Sequence, residues 1–542
     1  MREYTIKMIN KFIASKRLAA ILSAIIVVVY FVLLFTPLSA QTIENCIFPL
    51  LLLMGASCLF RDHIIPLCAA AICILATAFS GKLTSTVFEY PVIEGLLAAI
   101  LISIFAHLLC KSGVIQDLAV YIANKTQTRR AFFKSLFLFG TLFSFFPEVG
   151  AAITGSLFGE TGAKLGISRE KTAMFANITS ATLWTMFFAG VWTVHIIPAT
   201  KTGLDLIGGQ TIPVFPFLTT TIQYNFFAQS CIYVLLLSAF NMKDMGFLYT
   251  KECEARKSLK VEHLKQMTDP KKQKSAIMII VIPVLVFIVT FFTILILVGQ
   301  RNPAGGDESL LYALYSYVHS ENLGSAMLIA AAAMLLCAAL LVTATRRSDM
   351  GTLAVQRGNG KDLHRIAETV LRLIVALGVM RYFSALDIYN KLADKISLEV
   401  STLFIPCMCF AFSLLIAFSS GNFSVACVLV IPYAVSICWN GIQEPIYYTM
   451  ATGSVFSGAL AGMLLSPFSV QNILAAESCG CDFAAHMKSQ CQYVLLSAAI
   501  SCVFGFFPLS FGFGTTFGLA LVFGASYAAL DTFGKKADRV VK

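Results

Sequence analysis

Two long apolar stretches, 131–167 and 400–437, are each interrupted by a polar, glycine-bearing centre. The first centre contains Pro147, Glu148 and Gly150. Proline and glycine release backbone amides and carbonyls, which a membrane tolerates only inside protein or beside a wet cavity. A carboxylate at the bilayer centre costs about 2.5–3.5 kcal/mol on insertion scales, so Glu148 needs a cation, a proton or an arginine. We predict that these three residues form an ion-coupling site. The alternative is a structural acid that lies near the surface or pairs with an arginine.

The second centre offers hydroxyl and amide groups beside a glycine, in the order Ser419, Ser420, Gly421, Asn422. Such donors suit the carboxylate of a small organic anion, and each hydrogen bond to a charged group is worth roughly 1.5–3 kcal/mol. We predict that these four residues bind a solute. The alternative is that small polar residues pack the two arms and cap their helices.

The span that follows each centre carries polar residues in its middle. Pro467 interrupts the second of these spans and frees carbonyls, as in the discontinuous helices of carriers. The alternative for any single residue is a hydrogen bond that joins two helices. To solute binding we add Asn177 and Ser454, and to ion coupling Thr179, Ser180, Ser466 and Pro467.

Other reactive residues form no recognisable site. Arg372 and Glu368 lie four apart and form an ion pair, or else Arg372 faces a cavity and attracts an anion. The cysteines and histidine of 479–491 lack the spacing of a zinc site. The sequence has no HExxH, GxSxG, P-loop or dinucleotide-binding motif. We therefore predict no metal, no cofactor and no enzyme, with a membrane-embedded enzyme or an assembly scaffold as the third alternative.

The elements that carry these residues are apolar helices. Of the 542 residues, 58% are hydrophobic and 13% are charged. Many runs approach the roughly 20 residues that cross about 30 Å of hydrocarbon, which argues against soluble enzymes and nucleic-acid-binding proteins. We predict an all-α polytopic protein of the inner (plasma) membrane with about 12 transmembrane helices plus two re-entrant hairpins. The spans are placed at 18–35, 47–60, 64–80, 92–109, 172–198, 225–241, 276–298, 324–345, 363–380, 446–475, 491–511 and 516–533.

Basic loops orient these spans, because lysine and arginine concentrate on the cytoplasmic side. The longest hydrophilic segment, 243–274, is rich in both, and so are the two ends of the chain. We predict that this segment and both termini are cytoplasmic. Basic residues flank 135–160 on both sides, so this stretch should enter and leave from the cytoplasm as a re-entrant hairpin. The same count makes 400–437 a hairpin that enters from outside.

Four elements recur in the same order: a span, a short amphipathic segment, an interrupted stretch and a polar span. The same number of residues separates Gly113 from Gly150 as separates Ser384 from Gly421. Inverted repeats with interrupted helices are typical of secondary carriers, and the alternative is chance spacing. The predicted division is N-terminal scaffold spans 1–91, repeat one 92–241, a basic loop and linking spans 242–362, repeat two 363–511, and a last span with a cytoplasmic tail 512–542.

At these residues the chain resembles the ion transporter superfamily of secondary carriers. The segment 166–171, Gly-Ile-Ser-Arg-Glu-Lys, is similar to the "GxS-R-E-K" stretch of NhaC-type sodium/proton antiporters. Ser466-Pro467 is similar to the "SP" of an uncharacterised family of integral membrane proteins in the same superfamily. The likeness covers roughly 92–240 and 363–511. It implies an elevator-type carrier that acts as a homodimer in the lipid bilayer.

One departure from the antiporter pattern bears on function. Asn177 stands in the region where NhaC-type antiporters have an acid. We therefore favour a secondary active transporter that moves a small solute, an organic anion, together with sodium ions or protons. The alternative is a sodium/proton antiporter with Glu148 as the shared carboxylate.

Overall fold

A computed structural model describes residues 21–29, 69–70, 72–73, 90–186, 190–207, 212, 214–257, 270–299, 323–345, 372, 374–381, 383–384, 387–399, 404–442 and 444–537. Half or more of each of the predicted spans 18–35, 47–60, 64–80 and 363–380 lies outside these residues, as does Glu368. Within the described part, seven helices are long and apolar enough to cross a bilayer, or eight with the bent pair Phe217–Tyr224 and Phe226–Asn241. The total of about 12 stays a prediction.

The fold is almost entirely helical, as predicted. The first half contains α1 (Tyr90–Lys111), α2 (Val114–Lys125), α3 (Arg129–Leu142), α4 (Pro147–Lys164), α5 (Arg169–Thr182), α6 (Val191–Asp205), α7 (Val214–Thr221), α8 (Phe226–Asn241) and α9 (Gly246–Lys257). The second half contains α10 (Pro270–Gly299), α11 (Leu323–Ala344), α12 (Ile388–Glu399), α13 (Ile405–Ser420), α14 (Phe423–Ile442), α15 (Pro445–Leu465), α16 (Val470–Cys479), α17 (Phe483–Ile500), α18 (Phe507–Ser510) and α19 (Thr515–Phe533). A π-helix, Ser501–Phe506, joins α17 to α18, and strands β1 (Lys243–Asp244) and β2 (Lys535–Lys536) pair antiparallel.

The first interrupted stretch folds as a helical hairpin of α3 and α4. Thr128 caps α3, and Pro147 opens α4 at a position where a missing N–H costs nothing. The arms return to one place, since Arg129 Nε donates to the carbonyl of Leu165 at 2.9 Å. Gly150 was expected to mark the turn, and this is wrong, because it lies inside α4. It allows close approach instead: a Cβ there would come within 2.5 Å of the Phe143 carbonyl oxygen.

The second interrupted stretch is a hairpin of α13 and α14, and here the predicted glycine does make the turn. Gly421 has φ +66°, a left-handed conformation that ends α13. Asn422 Oδ1 then accepts from the backbone N–H of Ser424 at 2.8 Å and caps α14. The two glycines are therefore equally spaced but not structurally equivalent. Gly150 lies in the second arm of the first hairpin, whereas Gly421 ends the first arm of the second hairpin. What recurs is the order of the elements.

Both polar spans are interrupted. The predicted span 172–198 divides into α5, a 3-10 turn (Leu183–Met186) and α6. The predicted span 446–475 divides into α15 and α16 around 466–469, which confirms the break expected at Pro467. Helix α15 lies at the centre of the fold, since all its residues from Tyr448 to Leu464 are buried. By contrast, α1, α10 and α11 expose apolar faces of the kind that lipid covers.

Candidate functional site

The four interruptions meet one another. We call residues 143–148 the first tip, 419–423 the second tip, 183–192 the first break and 465–469 the second break; residues 187–189 of the first break lie outside the described part. The following contacts run from the first tip to the first break, then to the second tip, then to the second break. Helix α16, which follows the second break, packs on α4, which follows the first tip, so closely that a Cβ on Gly155 would collide with Ser478.

Glu148 lies in the first turn of α4 and is half-buried. Its Oε1 accepts a hydrogen bond from Trp192 Nε1 at 3.1 Å, which joins the first tip to the first break. Among the described residues, no lysine, arginine or histidine forms an ion pair with Glu148. A proton or a cation that neutralises a buried carboxylate lowers the cost of placing it in an apolar surrounding.

Aromatic rings join the first break to the second tip. Trp184 and Trp192 meet edge to face at 5.2 Å between centroids. Phe423 stacks on Trp192 at 5.3 Å and meets Trp184 edge to face at 5.1 Å. These rings are buried and hold the indole N–H of Trp192 in the direction of Glu148. The carboxylate therefore lies against a tightly packed aromatic surface.

The second tip rests directly on the second break. Ser466 Oγ donates to the carbonyl of Phe418 at 2.6 Å. A Cβ on Gly421 would approach the carbonyl carbon of Phe468 to 2.6 Å, so only glycine fits there. Arg372 reaches both elements, since its guanidinium donates to the carbonyls of Ser420 and Phe468. The sequence left open whether Arg372 faces a cavity, and the described contacts place it against backbone carbonyls.

A buried network of amide side chains joins the two broken helices. Asn177 Nδ2 donates to Asn472 Oδ1 at 2.6 Å and to Gln490 Oε1 at 2.8 Å. Gln471 Nε2 donates to the Asn177 carbonyl at 3.1 Å. All four side chains are at most 1% exposed. Asn177, which was expected to bind solute, thus ties α5 to α16 and α17.

The same network occupies the carbonyls that the second break releases. Asn472 Nδ2 donates to the carbonyls of Met463, Leu464 and Ser466, and Gln490 Nε2 donates to that of Leu464. Protein donors therefore satisfy the backbone on which the predicted ion-coupling role of Ser466 and Pro467 relied.

Several predicted site residues point their polar groups elsewhere. The hydroxyls of Ser419, Ser420, Thr179 and Ser454 each donate to a carbonyl of their own helix, at 2.7 Å in every case. Ser454 precedes Ser466 on the continuous α15 by three turns, about 18 Å along the helix, and so lies away from the second break. Ser180 is buried, and its hydroxyl has no hydrogen-bond partner among the described residues.

A buried ionic cluster, absent from the sequence predictions, lies at the far end of the first hairpin. Lys171 Nζ bonds both carboxylate oxygens of Asp244, at 2.7 and 2.8 Å. Glu252 accepts from the N–H of Ser168 at 2.7 Å and lies 3.8 Å from Arg256. Burial raises the pKa of Glu252, an effect that the nearby Lys171 partly offsets. The segment 243–274 was predicted as a hydrophilic loop, but Asp244 and Glu252 are buried because they meet the start of α5.

Within the described residues, no group of three His, Cys, Asp or Glu side chains lies together in a way that could hold a metal ion. The partners that sequence reasoning missed, Trp192, Asn472, Gln490 and Asp244, lie 44 or more positions from the residues they contact. Local patterns carry no signal for such pairs.

A family model described as the Na+/H+ antiporter family matches residues 212–508, which is more than half of the chain. The chain belongs to the Na+/H+ antiporter family. The match runs from α7 through the second hairpin and the second broken helix into α18. This membership confirms the predicted resemblance to secondary carriers. The protein is therefore a multi-pass membrane protein and a secondary transporter.

Three individual proteins are also similar to this chain. An uncharacterized protein of Haemophilus influenzae is 20% identical over 431 residues, which cover 78% of this chain and 79% of that protein. The YdaH transporter of Alcanivorax borkumensis has a similar structure, with a TM-score of 0.54 and 13% identity over 82% of this chain and 90% of that one. MtrF of Neisseria gonorrhoeae, from a class described as antimetabolite efflux pumps, aligns with a TM-score of 0.45, 14% identity and coverage of 96% and 97%.

Proposed function

We propose that this protein exchanges sodium, or another small cation, for protons, and that the two compete for Glu148. The observation that carries the proposal is the position of this acid. It is half-buried at a helix interruption, its Oε1 accepts from Trp192, and no basic side chain of the described residues neutralises it. The family assignment supports the same chemistry.

The exchange follows from the cost of an unpaired charge in an apolar surrounding. A proton or a cation neutralises Glu148 equally well, and both cannot do so at once. Trp192 fixes Oε1, which leaves Oε2 to bind either partner. A carrier that reorients only when Glu148 is neutral would then move one cation in one direction for each proton in the other.

Co-transport of an organic anion, which the sequence favoured, has less support. The hydroxyls of Ser419 and Ser420 donate to the carbonyls of Leu415 and Ile416, so they are not directed at a solute. Asn422 uses its oxygen to cap α14 and keeps its amide nitrogen available, since Nδ2 has no acceptor among the described residues. Solute binding at the second tip thus rests on one donor and the backbone.

The test uses proteoliposomes that contain the purified chain and a pH-sensitive dye. We expect a sodium gradient to drive proton movement with no organic solute present, and Glu148→Gln to abolish it. Glu160→Gln is the matched control, because it makes the same change on the exposed face of the same helix. Exchange at the unmodified rate in Glu148→Gln would refute the proposal. Accumulation of an organic anion without any cation exchange would favour co-transport.

The orientation is part of the proposal. The two arms of the first hairpin start and end on the same side, since Arg129 bonds the Leu165 carbonyl. The ionic cluster joins that end of the hairpin to 243–257. Strand β2, near the C-terminus, pairs with β1 of the same segment. All of these regions carry basic residues, so we infer that this end is cytoplasmic. A cysteine label at Lys164 that reacts from outside intact cells would contradict this. The homodimer and the elevator motion remain predictions.

A further inference from the structure

Two backbone carbonyls, those of Ser420 and Phe468, come together at the second tip. Ser420 is the last residue of α13, and Phe468 lies in the second break between α15 and α16. The last carbonyls of a helix have no intrahelical partner and carry the negative end of its dipole. Contact between Gly421 and Phe468 brings the Phe468 carbonyl to the end of α13. Two carbonyl oxygens placed in this way attract a cation.

Arg372 supplies that cation from another part of the chain. Its guanidinium donates to the Ser420 carbonyl and, at 3.5 Å, to the Phe468 carbonyl. The side chain is only 7% exposed, so its charge is largely withdrawn from water. A guanidinium presents several donors in one plane, which suits two carbonyls that arrive from different helices.

The first tip differs from the second in the sign of its charge. Ala98 stands as far before α2 as Arg372 stands before α12, and it is fully buried. Counted back from these two helices, the first half of the chain has an apolar residue where the second half has Arg372. Its own charged group is Glu148, which is negative. One tip thus carries a fixed positive charge, and the other carries an acid that must find a mobile partner.

We propose that Arg372 is a tethered cation, which takes the place of a second coupling ion at the second tip. Mobile ions then bind at the first tip only, one for each transport cycle. This deepens the proposed function and rests on it for the role of Glu148, but the contacts of Arg372 stand independently.

The experiment measures thermal unfolding of the full-length chain in detergent as sodium or guanidinium is added, with choline chloride holding the ionic strength constant. Arg372→Ala should lower the melting temperature, and millimolar sodium or guanidinium should restore it. Arg372→Lys, which keeps the charge, should show no extra stabilisation by sodium or guanidinium. Arg381→Ala is the matched control, because Arg381 lies on the same helical segment and is half-buried. It should show no cation-specific restoration.

In proteoliposomes, the Hill coefficient for sodium should rise from about one toward two in Arg372→Ala, because a second ion site opens. Absence of any extra stabilisation by sodium or guanidinium in Arg372→Ala would overturn the proposal. If that variant does not fold, Arg372→Gln carries the same test, since it keeps a donor and loses the charge. Exchange that persists in Glu148→Gln would remove the proposed function without touching the cation rescue, so the two failures are distinguishable.

Discussion

Replacing Lys171 by methionine should strongly destabilise the fold. Lys171 and Asp244 are 1% and 0% exposed, and Nζ lies 2.7 and 2.8 Å from the two carboxylate oxygens. The ammonium also lies 5.1 Å from the centroid of the Phe133 ring. Removing one partner of a buried pair leaves the other charge without compensation, which costs about 3–5 kcal/mol. Among the residues that the structure describes, the variant leaves Asp244 with two neutral donors, Ser238 and Tyr493.

The assay is chemical denaturation of the purified chain in mixed micelles, followed by tryptophan fluorescence. Lys251→Met is the control, because the Lys251–Glu254 pair is exposed and should be worth about 1 kcal/mol or less. The double variant Lys171→Met with Asp244→Asn removes both charges and should recover much of the loss. A cost for Lys171→Met as small as that of the control would refute this reasoning. So would a double variant that is less stable than Lys171→Met.

Two further outcomes follow from single residues. Gly421→Ala should abolish exchange in proteoliposomes and lower the melting temperature. Alanine in a left-handed conformation costs about 1–2 kcal/mol, and its Cβ would meet the carbonyl carbon of Phe468 at 2.6 Å. Gly514→Ala is the control and should change neither quantity, because the space around Gly514 is open. Burial raises the pKa of Glu252 above its ordinary value of 4.5, so the unmodified chain should lose stability as the pH rises through this range, whereas Glu252→Gln should not. The melting temperature of the unmodified chain, relative to that of the variant, should therefore fall from acid to neutral pH, and a relative rise over this range would contradict the reasoning.

The sequence predicts those features of the site that depend on backbone chemistry. Pro467 and Gly421 interrupt helices through their own covalent structure, so both breaks are visible in the sequence. Gly150 is also a glycine at the centre of an interrupted stretch, but it lies inside α4. Pro147 already starts that helix, and Gly150 is needed for close approach to Phe143. A glycine alone does not reveal which of these two needs it meets.

What could not be predicted depends on which helices pack together. Glu148 was identified as an acid without a partner in sequence, but its contact with Trp192 exists only because the first tip packs on the first break. The role of Arg372 was left open for the same reason, since Ser420 and Phe468 are 48 and 96 residues away. For hydroxyl groups the error was the opposite one, because the sequence suggested contacts with a ligand where the structure has contacts within a helix. Ser419, Ser420 and Ser454 are able to bind a ligand, but each donates to its own helix.

Asn177 is the residue on which the antiporter resemblance and the fold can be tested together. NhaC-type antiporters have an acid in this region, so Asn177→Asp restores their pattern at this residue. Here the side chain is fully buried, and its Nδ2 donates to Asn472 Oδ1 at 2.6 Å and Gln490 Oε1 at 2.8 Å. An aspartate would place a charged acceptor against two acceptors.

Asn177→Asp should therefore be less stable than the unmodified chain at neutral pH. It should recover in part at acid pH, where a protonated carboxyl donates one hydrogen bond. Melting temperatures across a pH series test this, with Asn124→Asp on the amphipathic α2 as the control, because Asn124 is exposed. A buried Asn177→Asp variant that is as stable as the unmodified chain at neutral pH would show that the network tolerates an acid. The expected loss would instead mean that Asn472 and Gln490 must change together with residue 177. An acid at residue 177 and the amide network would then be mutually exclusive, which leaves Glu148 as the carboxylate for exchange.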